Sequence, residues 1–272
     1  MSRIITALLV LPVLVASILV PWLAPLFVVL ALAAMILGLY EFWLLSGRLG
    51  INADRELGFA GAAAVFTVFY FNRPGELPEL LLLVLPGVTI LLLVAAMLRG
   101  KPFDKMIASV GATLLGLMYV ALLGGHLVAV RMGFEQGRSA DLLSFFFLVI
   151  MGSDTGAYYT GRALGRHKLA PTISPGKTWE GAIGGMIASL LMAVLAHYWF
   201  FRELPLKAAL PLAAVLNVLG VLGDLTESAL KRGAGAKDAA QILPGHGGLL
   251  DRLDSLLFNA PVIYYFGRLY FG

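Results

Sequence analysis

Acidic and basic side chains concentrate in one stretch near the C-terminal end of an otherwise apolar chain. Asp224 and Glu227 lead into it, and a Gly-rich turn, Pro244-Gly-His-Gly-Gly248, lies within it. Carboxylates bind hard divalent cations through oxygen, whereas Lys, Arg and backbone N–H groups bind phosphate. A stretch that contains both is suited to a metal-bound polyphosphate. The ionisable residues after Glu227 are Lys231, Arg232, Lys237, Asp238, His246, Asp251, Arg252 and Asp254.

The spacing within this stretch is organised. Asp251 and Asp254 are three positions apart, so they share a face if the segment is helical. The glycine turn does not easily continue a helix, but it lets the backbone approach a ligand closely. For any one of these charges, a solvated loop between two membrane helices is the alternative interpretation. That alternative fits the spacing of the whole set poorly.

A second polar segment lies upstream, between residues 152 and 181. Asp154 falls inside an apolar run, where a carboxylate costs at least about 2.5–3.5 kcal/mol at a helix centre. It therefore needs a partner, a cavity or a cation. Tyr158 shares its helical face and is the alternative, purely structural partner. Arg162 follows one turn later and belongs to the same polar set.

Downstream in this segment, Ser174-Pro-Gly-Lys-Thr178 resembles the end of a phosphate-binding loop, although the full spacing and a preceding strand are missing. Lys177 supplies a cation, and the Thr178 hydroxyl can donate a hydrogen bond. The next helix is expected to begin here, and its N-terminus also favours an anion. Glu180 either joins this polar site or caps the helix.

The apolar remainder of the chain is typical of a membrane protein. Of 272 residues, 60% are hydrophobic and 13% are charged, against about 25% charged in a soluble domain. Apolar runs of roughly 17–25 residues can each cross a bilayer as a helix. They predict an all-α, polytopic integral membrane protein with about nine transmembrane helices, near 4–20, 22–45, 57–72, 79–98, 106–130, 141–161, 181–201, 208–230 and 255–271.

Lys and Arg are distributed unevenly between the two membrane faces. With the N-terminus in the cytoplasm, 14 of the 20 basic residues fall on the cytoplasmic side and 6 on the other. The positive-inside rule therefore predicts a cytoplasmic N-terminus, with Arg166 inside and Arg138 outside. Both polar segments then face the cytoplasm. Because the basic residues occupy short loops, the net charge of +4 does not indicate nucleic-acid binding.

Short loops leave no room for a separate soluble domain. We divide the chain into an N-terminal transmembrane helical region, 1–140, and a C-terminal catalytic region, 141–272, with two polar loops. The N-terminal region carries little specific signal and is interpreted as helical packing. Within it, Glu41 lies beside aromatic residues and is interpreted as interfacial; the Phe145–Phe147 run is interpreted as facing lipid or the interface.

The stretch from Ser228 to Asp254 follows the pattern S-x-L-K-R-x4-K-D-x-A-x2-L-P-x-H-G-G-L-x-D-R-L-D. This pattern resembles the signature of the phosphatidate cytidylyltransferase family, also called CDP-diacylglycerol synthases. The segment from Asp154 to Gly181 is similar to the same family. Ala239 stands where many members carry a hydroxyl. The resemblance implies metal-dependent transfer of a cytidylyl group from CTP to phosphatidate, which gives CDP-diacylglycerol and pyrophosphate for phospholipid biosynthesis.

The implied reaction joins two anions, so charge repulsion is its main barrier, and metal ions with Lys and Arg would neutralise it. Because the attacking phosphatidate oxygen is already ionised, we assign His246 to structure or phosphate contact rather than to a base. Asp224 and Asp251, from adjacent helices, are expected to bind metal. The full predicted set comprises catalytic Asp224, Asp251, Lys237 and Asp238; metal ligands Asp224, Asp251 and Asp254; phosphate ligands Ser174, Lys177, Thr178, Lys231, Arg232, His246 and Arg252; and the further polar residues Asp154, Arg162 and Glu180.

The expected partners are CTP, phosphatidate and membrane lipid, without nucleic acid. The expected cofactor is Mg²⁺; whether a second cation binds, and whether that cation is monovalent, are left open. The family resemblance suggests a homodimer in a prokaryotic inner membrane, with its active site facing the cytoplasm.

Two other functions fit parts of the pattern. A CTP-dependent lipid-alcohol kinase would transfer the γ-phosphoryl group and release CDP, but the long match from Ser228 to Asp254 argues against it. An ion-coupled transporter would use Asp154, Asp224 and Asp251 within the membrane. Transporters often carry internal repeats and have sites near the midplane. Here no repeat is visible, and the charges cluster toward one face.

Overall fold

The computed structural model describes residues 2–71, 79–100, 103–237 and 248–272, and these are almost entirely helical. Each apolar segment predicted from the sequence coincides with a helix in these ranges, and the segment 106–130 corresponds to two of them, α5 and α6. The helices are α1 (Ser2–Leu19), α2 (Ala24–Arg48), α3 (Arg55–Phe71), α4 (Glu79–Leu98), α5 (Met106–Gly116), α6 (Leu123–Gly133), α7 (Gln136–Leu164), α8 (Trp179–Trp199), α9 (Leu206–Gly233) and α10 (Leu250–Phe271). A π-helical turn, Leu117–Leu122, joins α5 to α6, and short 3-10 turns occupy Pro21–Leu23 and Phe103–Lys105.

Within the described ranges, six helical segments are long and apolar enough to cross a membrane. The chain is therefore an all-α integral membrane protein. Because α1, α3 and α10 are not among the six, the expected count of about nine spans stays a prediction, as does the cytoplasmic N-terminus. The six segments are Pro21–Arg48, Leu80–Leu98, Phe103–Gly133, Gln136–Leu164, Trp179–Trp199 and Leu206–Gly233.

A two-stranded antiparallel hairpin lies between α7 and α8. Strand β1 (Lys168–Ala170) pairs with β2 (Ser174–Thr178), with Lys168 opposite Thr178. The Ser-Pro-Gly-Lys-Thr segment is thus a strand that leads directly into a helix, and not a phosphate-binding loop that follows a strand. A hairpin this short has too little periodicity to be predicted from the sequence.

Helix α7 runs through the centre of the bundle, with α1, α6, α8, α9 and α10 packed against it. Phe145 and Phe146 are fully buried, so the expectation that this aromatic run faces lipid or the interface is wrong for both of them. The physical reason is that neighbouring helices cover α7 on several sides, so apolar residues on more than one face contribute to the core.

Buried asparagines connect the three helices that carry the polar segments. On α9, the Asn217 side-chain amide donates to the Ser153 hydroxyl of α7 at 2.6 Å. On α10, the Asn259 amide donates to the Leu216 carbonyl of α9 at 2.9 Å. Interhelical hydrogen bonds in apolar surroundings contribute about 0.6 kcal/mol each on average. These bonds fix α7, α9 and α10 relative to one another beside the polar residues.

Candidate functional site

A cavity of about 550 Å³ lies where α7, α9, α10 and the hairpin meet. Its volume is in the range of small-molecule sites, roughly 300–1,000 Å³. Both polar segments contribute to its lining, although they are far apart in the sequence. The lining carboxylates and lysines are Asp154, Lys177, Asp224, Lys231, Asp251 and Asp254.

Carboxylates from three different helices meet at this cavity. Asp154 lies on α7, Asp224 on α9 and Asp254 on α10, and the charge of Asp224 acts on both of the others. Close approach of α9 and α10 makes this possible. A Cβ atom at Gly223 would lie 2.5 Å from the backbone oxygen of Asp254, so only glycine fits there without displacement. The convergence brings three carboxyl groups to one cavity, whose lining also contains the cationic side chains of Arg162, Lys177, Lys231 and Arg252.

The hairpin places a lysine against one of these carboxylates. Lys177 Nζ lies 2.5 Å from Asp224 Oδ2, and their side chains are 24% and 40% exposed. Because strand β2 ends at Thr178, immediately before α8, the lysine is held at a fixed position above the helices. Both groups remain accessible from the cavity, so the pair can open when another anion or cation arrives.

A second lysine of the cavity is more deeply buried than Lys177. Lys231 Nζ is 2.5 Å from Glu227 Oε2, one helical turn away on α9, and it also forms an ion pair with Asp251 of α10. The remaining oxygen of Asp251, Oδ2, accepts a hydrogen bond from the Gly248 backbone N–H at 3.0 Å. Glu227 is fully buried. This cluster brings two carboxyl groups to one lysine, and it connects α9 to the start of α10.

Comparison with known proteins places the chain in a family. A profile described as the cytidylyltransferase family matches residues 1–270. The chain belongs to the cytidylyltransferase family. A protein of Staphylococcus saprophyticus named phosphatidate cytidylyltransferase is 34% identical over 243 residues, which are 86% of this chain and 91% of that protein. A protein of Haemophilus influenzae with the same name is 45% identical over 129 residues, which are 46% of this chain and 45% of that protein.

In this cytidylyltransferase-family chain, three further predicted residues line the cavity: Arg162, Thr178 and Arg252. The Tyr158 hydroxyl accepts a hydrogen bond from Arg162 Nη1 at 3.2 Å. Tyr158 therefore pairs with Arg162, whereas the structural alternative paired it with Asp154. Thr178 Oγ1 accepts from the Gly181 backbone N–H at 3.1 Å and so caps α8. Its hydroxyl proton is still free to donate, because accepting a bond does not use it.

Four other predicted residues lie outside the described lining of the cavity: Ser174, Glu180, Arg232 and Lys237. Glu180 accepts hydrogen bonds from the backbone N–H groups of Arg166 and His167, and its Oε1 lies 2.6 Å from His167 Nδ1. Glu180, at the start of α8, therefore binds the segment between α7 and β1. Arg232 Nε donates to the Ile173 carbonyl at 3.4 Å, which connects α9 to the hairpin. Asp238 and His246 lie outside the described residues.

Sequence reasoning missed two residues of the N-terminal region. Glu41 was expected at the interface, but it is fully buried and accepts backbone hydrogen bonds at the start of α10. Tyr119, in the π-helical turn, is buried, and its hydroxyl has no hydrogen-bond partner among the described residues. It lies within electrostatic range of Asp254 and Glu227. The burial cost that marked Asp154 applies equally to Glu41 and could have identified it.

The donor set of the cavity fits a divalent cation that arrives with its substrate. In the described part of the chain, no three His, Cys, Asp or Glu side chains are close enough together to form a ready-made metal site. Mg²⁺ does not need one, because it prefers one or two carboxylates together with substrate phosphates and retained waters. The carboxylates of Asp224, Asp251 and Asp254 line the same cavity and contain oxygen atoms of the type that this ion binds.

Proposed function

We propose that this chain is a phosphatidate cytidylyltransferase, which converts CTP and phosphatidate into CDP-diacylglycerol and pyrophosphate. The observation that carries the proposal is the convergence of the two polar segments, with their carboxylates and cations, on one cavity of a membrane protein. Relatives that cover most of the chain carry this name. Fold alone would not support a function, whereas the chemistry of this cavity does.

In the proposed reaction, an ionised phosphate oxygen of phosphatidate forms a bond to the α-phosphorus of CTP. The bond from that phosphorus to the oxygen bridging toward the β-phosphorus breaks, and pyrophosphate leaves with the electron pair. No proton has to be removed from the nucleophile. The task of the protein is therefore to position two anions and neutralise their repulsion. Lys177, Arg162 and Arg252 line the cavity, which supports the proposal that they neutralise this repulsion.

One or two of the carboxylates of Asp224, Asp251 and Asp254 would hold Mg²⁺ together with substrate phosphates, and the proposal allows a second cation beside it. When bound, such an ion supplies positive charge to the triphosphate and to the leaving pyrophosphate. Asp224 and Asp251 are each paired with a lysine, Lys177 and Lys231 respectively. A nucleotide triphosphate gives both lysines a new anionic partner, so the carboxylates can accept a cation without losing charge balance.

The setting explains why the enzyme needs so many apolar helices. The acyl chains of phosphatidate stay in the bilayer, while its headgroup enters the polar cavity between α7, α9 and α10. We propose that the protein lies in a prokaryotic inner membrane and that this cavity opens on the cytoplasmic side, where CTP is available. We also propose that the protein forms the homodimer that the family resemblance suggests.

Product analysis with two labelled forms of CTP tests the function. With phosphatidate and CTP labelled at the α-phosphate, the purified protein should transfer the label to lipid and release pyrophosphate. CTP labelled at the γ-phosphate should leave the lipid unlabelled. In a parallel assay with a lipid alcohol in place of phosphatidate, a lipid-alcohol kinase would give the opposite pattern, with γ-label in lipid and CDP released. A transporter would label no lipid with either form.

A further inference from the structure

Glu41 lies far from the polar segments in sequence but joins one of them in space. It sits on α2 and is fully buried. Its two carboxylate oxygens accept hydrogen bonds from two successive backbone N–H groups, Leu249 to Oε1 at 2.8 Å and Leu250 to Oε2 at 2.7 Å. A buried carboxylate is costly unless its oxygens are bonded, so this geometry accounts for its presence among apolar residues.

These bonds satisfy the start of α10 from outside the helix. The first N–H groups of a helix have no partner within it, and the positive end of the helix dipole attracts a negative charge. The residue preceding α10, Leu249, offers no side-chain cap. A carboxylate of α2 therefore does for α10 what Ser, Thr, Asp or Asn usually does from within the same segment.

Close packing holds Glu41 in this position. Gly38 lies one turn earlier on the same face of α2, and a Cβ atom there would lie 3.1 Å from Val120 and 3.6 Å from Leu253 of α10. A Cβ atom at Gly38 would crowd Val120 of the π-helical turn and would lie in ordinary contact with Leu253. Because both oxygens of Glu41 are used, its carboxylate also cannot rotate without breaking a bond.

The segment that Glu41 holds carries two of the carboxylates at the cavity. Asp251 and Asp254 lie in the first turns of α10, directly after the two bonded N–H groups, and both line the cavity. The preceding N–H group, that of Gly248, is bonded to Asp251 itself. Any rotation or fraying of this turn would change the direction of both aspartates.

We propose that Glu41 is a positioning residue for the reaction: by holding the start of α10 from α2, it fixes the direction in which Asp251 and Asp254 face the cavity. This inference rests on the proposed function, since it assumes that those aspartates bind the metal-associated nucleotide. It also assigns a role in the active site to the N-terminal region, which otherwise contributes mainly packing.

The test compares Glu41→Ala, Glu41→Gln and the control Glu56→Gln, whose parent residue is an exposed carboxylate in the first turn of α3. Hydrogen–deuterium exchange is measured at the amides of Leu249 and Leu250 in the purified protein. We expect exchange at both to rise at least tenfold in Glu41→Ala. In Glu41→Gln, whose amide has a single acceptor oxygen, we expect at most one of them to stay protected.

The same variants are assayed for CDP-diacylglycerol formation over a Mg²⁺ titration. We expect Glu41→Ala to lower kcat at least tenfold and to raise the Mg²⁺ concentration for half-maximal rate severalfold. Glu41→Gln should be intermediate, and Glu56→Gln should match the parent protein. A role in stability alone would lower the thermal unfolding midpoint but leave the Mg²⁺ dependence of the folded enzyme unchanged.

Faster amide exchange with unchanged kcat and Mg²⁺ dependence would overturn the positioning role, and unchanged exchange would overturn the contact itself. If Glu41→Ala does not purify, Glu41→Gln decides the question by the same measurements. A parent protein that forms no CDP-diacylglycerol would instead refute the proposed function, and the exchange data would still show whether Glu41 holds α10.

Discussion

Lys177 and Lys231 occupy different environments, although each is paired with an aspartate of the cavity. Lys177 and Asp224 are both partly exposed, whereas Lys231 is 13% exposed and shares its charge with the fully buried Glu227. Removing Lys231 would leave Glu227 buried without its cation, which is strongly destabilising. Removing Lys177 leaves a carboxylate that water can reach. Only Lys177 therefore offers a clean test of catalysis at the level of a single residue.

Lys177→Ala should slow cytidylyl transfer on the order of 10²–10³-fold, the loss typical of one preorganised electrostatic donor in a water-poor site. Its thermal unfolding midpoint should stay close to that of the parent. Lys168→Ala is the matched control, because Lys168 is an exposed lysine on the other strand of the same hairpin. Turnover of both purified variants gives the answer. If the two variants have equal turnover, Lys177 contributes to the hairpin alone and not to catalysis.

Asp224→Asn and Asp251→Asn should each abolish cytidylyl transfer while the protein still purifies as a folded species. Asparagine keeps the shape of aspartate but removes the charge that would hold Mg²⁺. Folding should survive because Lys231 keeps Glu227 as a partner when Asp251 is neutral, and Lys177 is partly exposed. The exposed Asp104 provides the control Asp104→Asn. Mg²⁺-dependent turnover and thermal unfolding are measured for each variant. If a variant is stable and keeps the metal dependence of the parent, that residue is not a metal ligand.

At the scale of elements, the contact between α9 and α10 decides the geometry of the site. Gly223→Ala would place a methyl group 2.5 Å from a backbone oxygen of α10, beside both Asp224 and Asp254. Overpacking of this kind costs about 1–3 kcal/mol, and the helices can relieve it only by moving apart. We expect a lower unfolding midpoint and at least a tenfold loss of turnover.

Gly233→Ala is the matched control for this change, because it makes the same substitution on the same helix where nothing lies within 4 Å. It should be neutral or slightly stabilising, since alanine is favoured over glycine in helices by up to about 1 kcal/mol. If both variants behave alike in turnover and thermal unfolding, the close approach at Gly223 does not control the site.

The same elements show what a sequence can predict. The apolar runs of the sequence located each helix of the described residues, because the apolar composition of a membrane-spanning segment is a local property of the sequence. The spacing of Asp251 and Asp254 predicts a shared helical face, and both residues lie on α10 and line the cavity. The pairing of Lys231 with Asp251, and the bonds from Glu41 to α10, depend on contacts between distant segments. No local pattern encodes such contacts, so the sequence of the N-terminal region predicts only helical packing.

At the scale of the whole molecule, the N-terminal and C-terminal helices pack into one bundle. Helix α10 contacts both α2 and α6, and α1 contacts α7. The residues that line the polar cavity all belong to the C-terminal region, and helices of the N-terminal region pack against α7 and α10, which carry part of that lining. Such an arrangement lets a lipid headgroup leave the interface for a polar site without exposing its acyl chains to water. It also requires that the cavity open on the membrane face where the nucleotide is found.

Helix α7 provides the test of that orientation. Its 29 residues extend about 43 Å at about 1.5 Å per residue, which exceeds the roughly 30 Å hydrocarbon core of a bilayer. Gln136 at its start and Arg166 just beyond its end are both exposed, so they should emerge on opposite sides of the membrane. The excess of Lys and Arg predicts that Arg166, which lies between α7 and β1, is cytoplasmic.

Single-cysteine variants Gln136→Cys and Arg166→Cys can be made directly, because the chain contains no cysteine. Replacing the Arg166 side chain should be tolerated, since Glu180 binds only its backbone N–H. In intact cells, a membrane-impermeant maleimide should label position 136 but reach position 166 only after permeabilisation, and the parent protein should remain unlabelled. Labelling of position 166 from outside would show that the topology is the reverse of the predicted one. The cavity would then not face the cytoplasm, where CTP is supplied. Labelling of both positions from outside would mean that α7 does not cross the membrane.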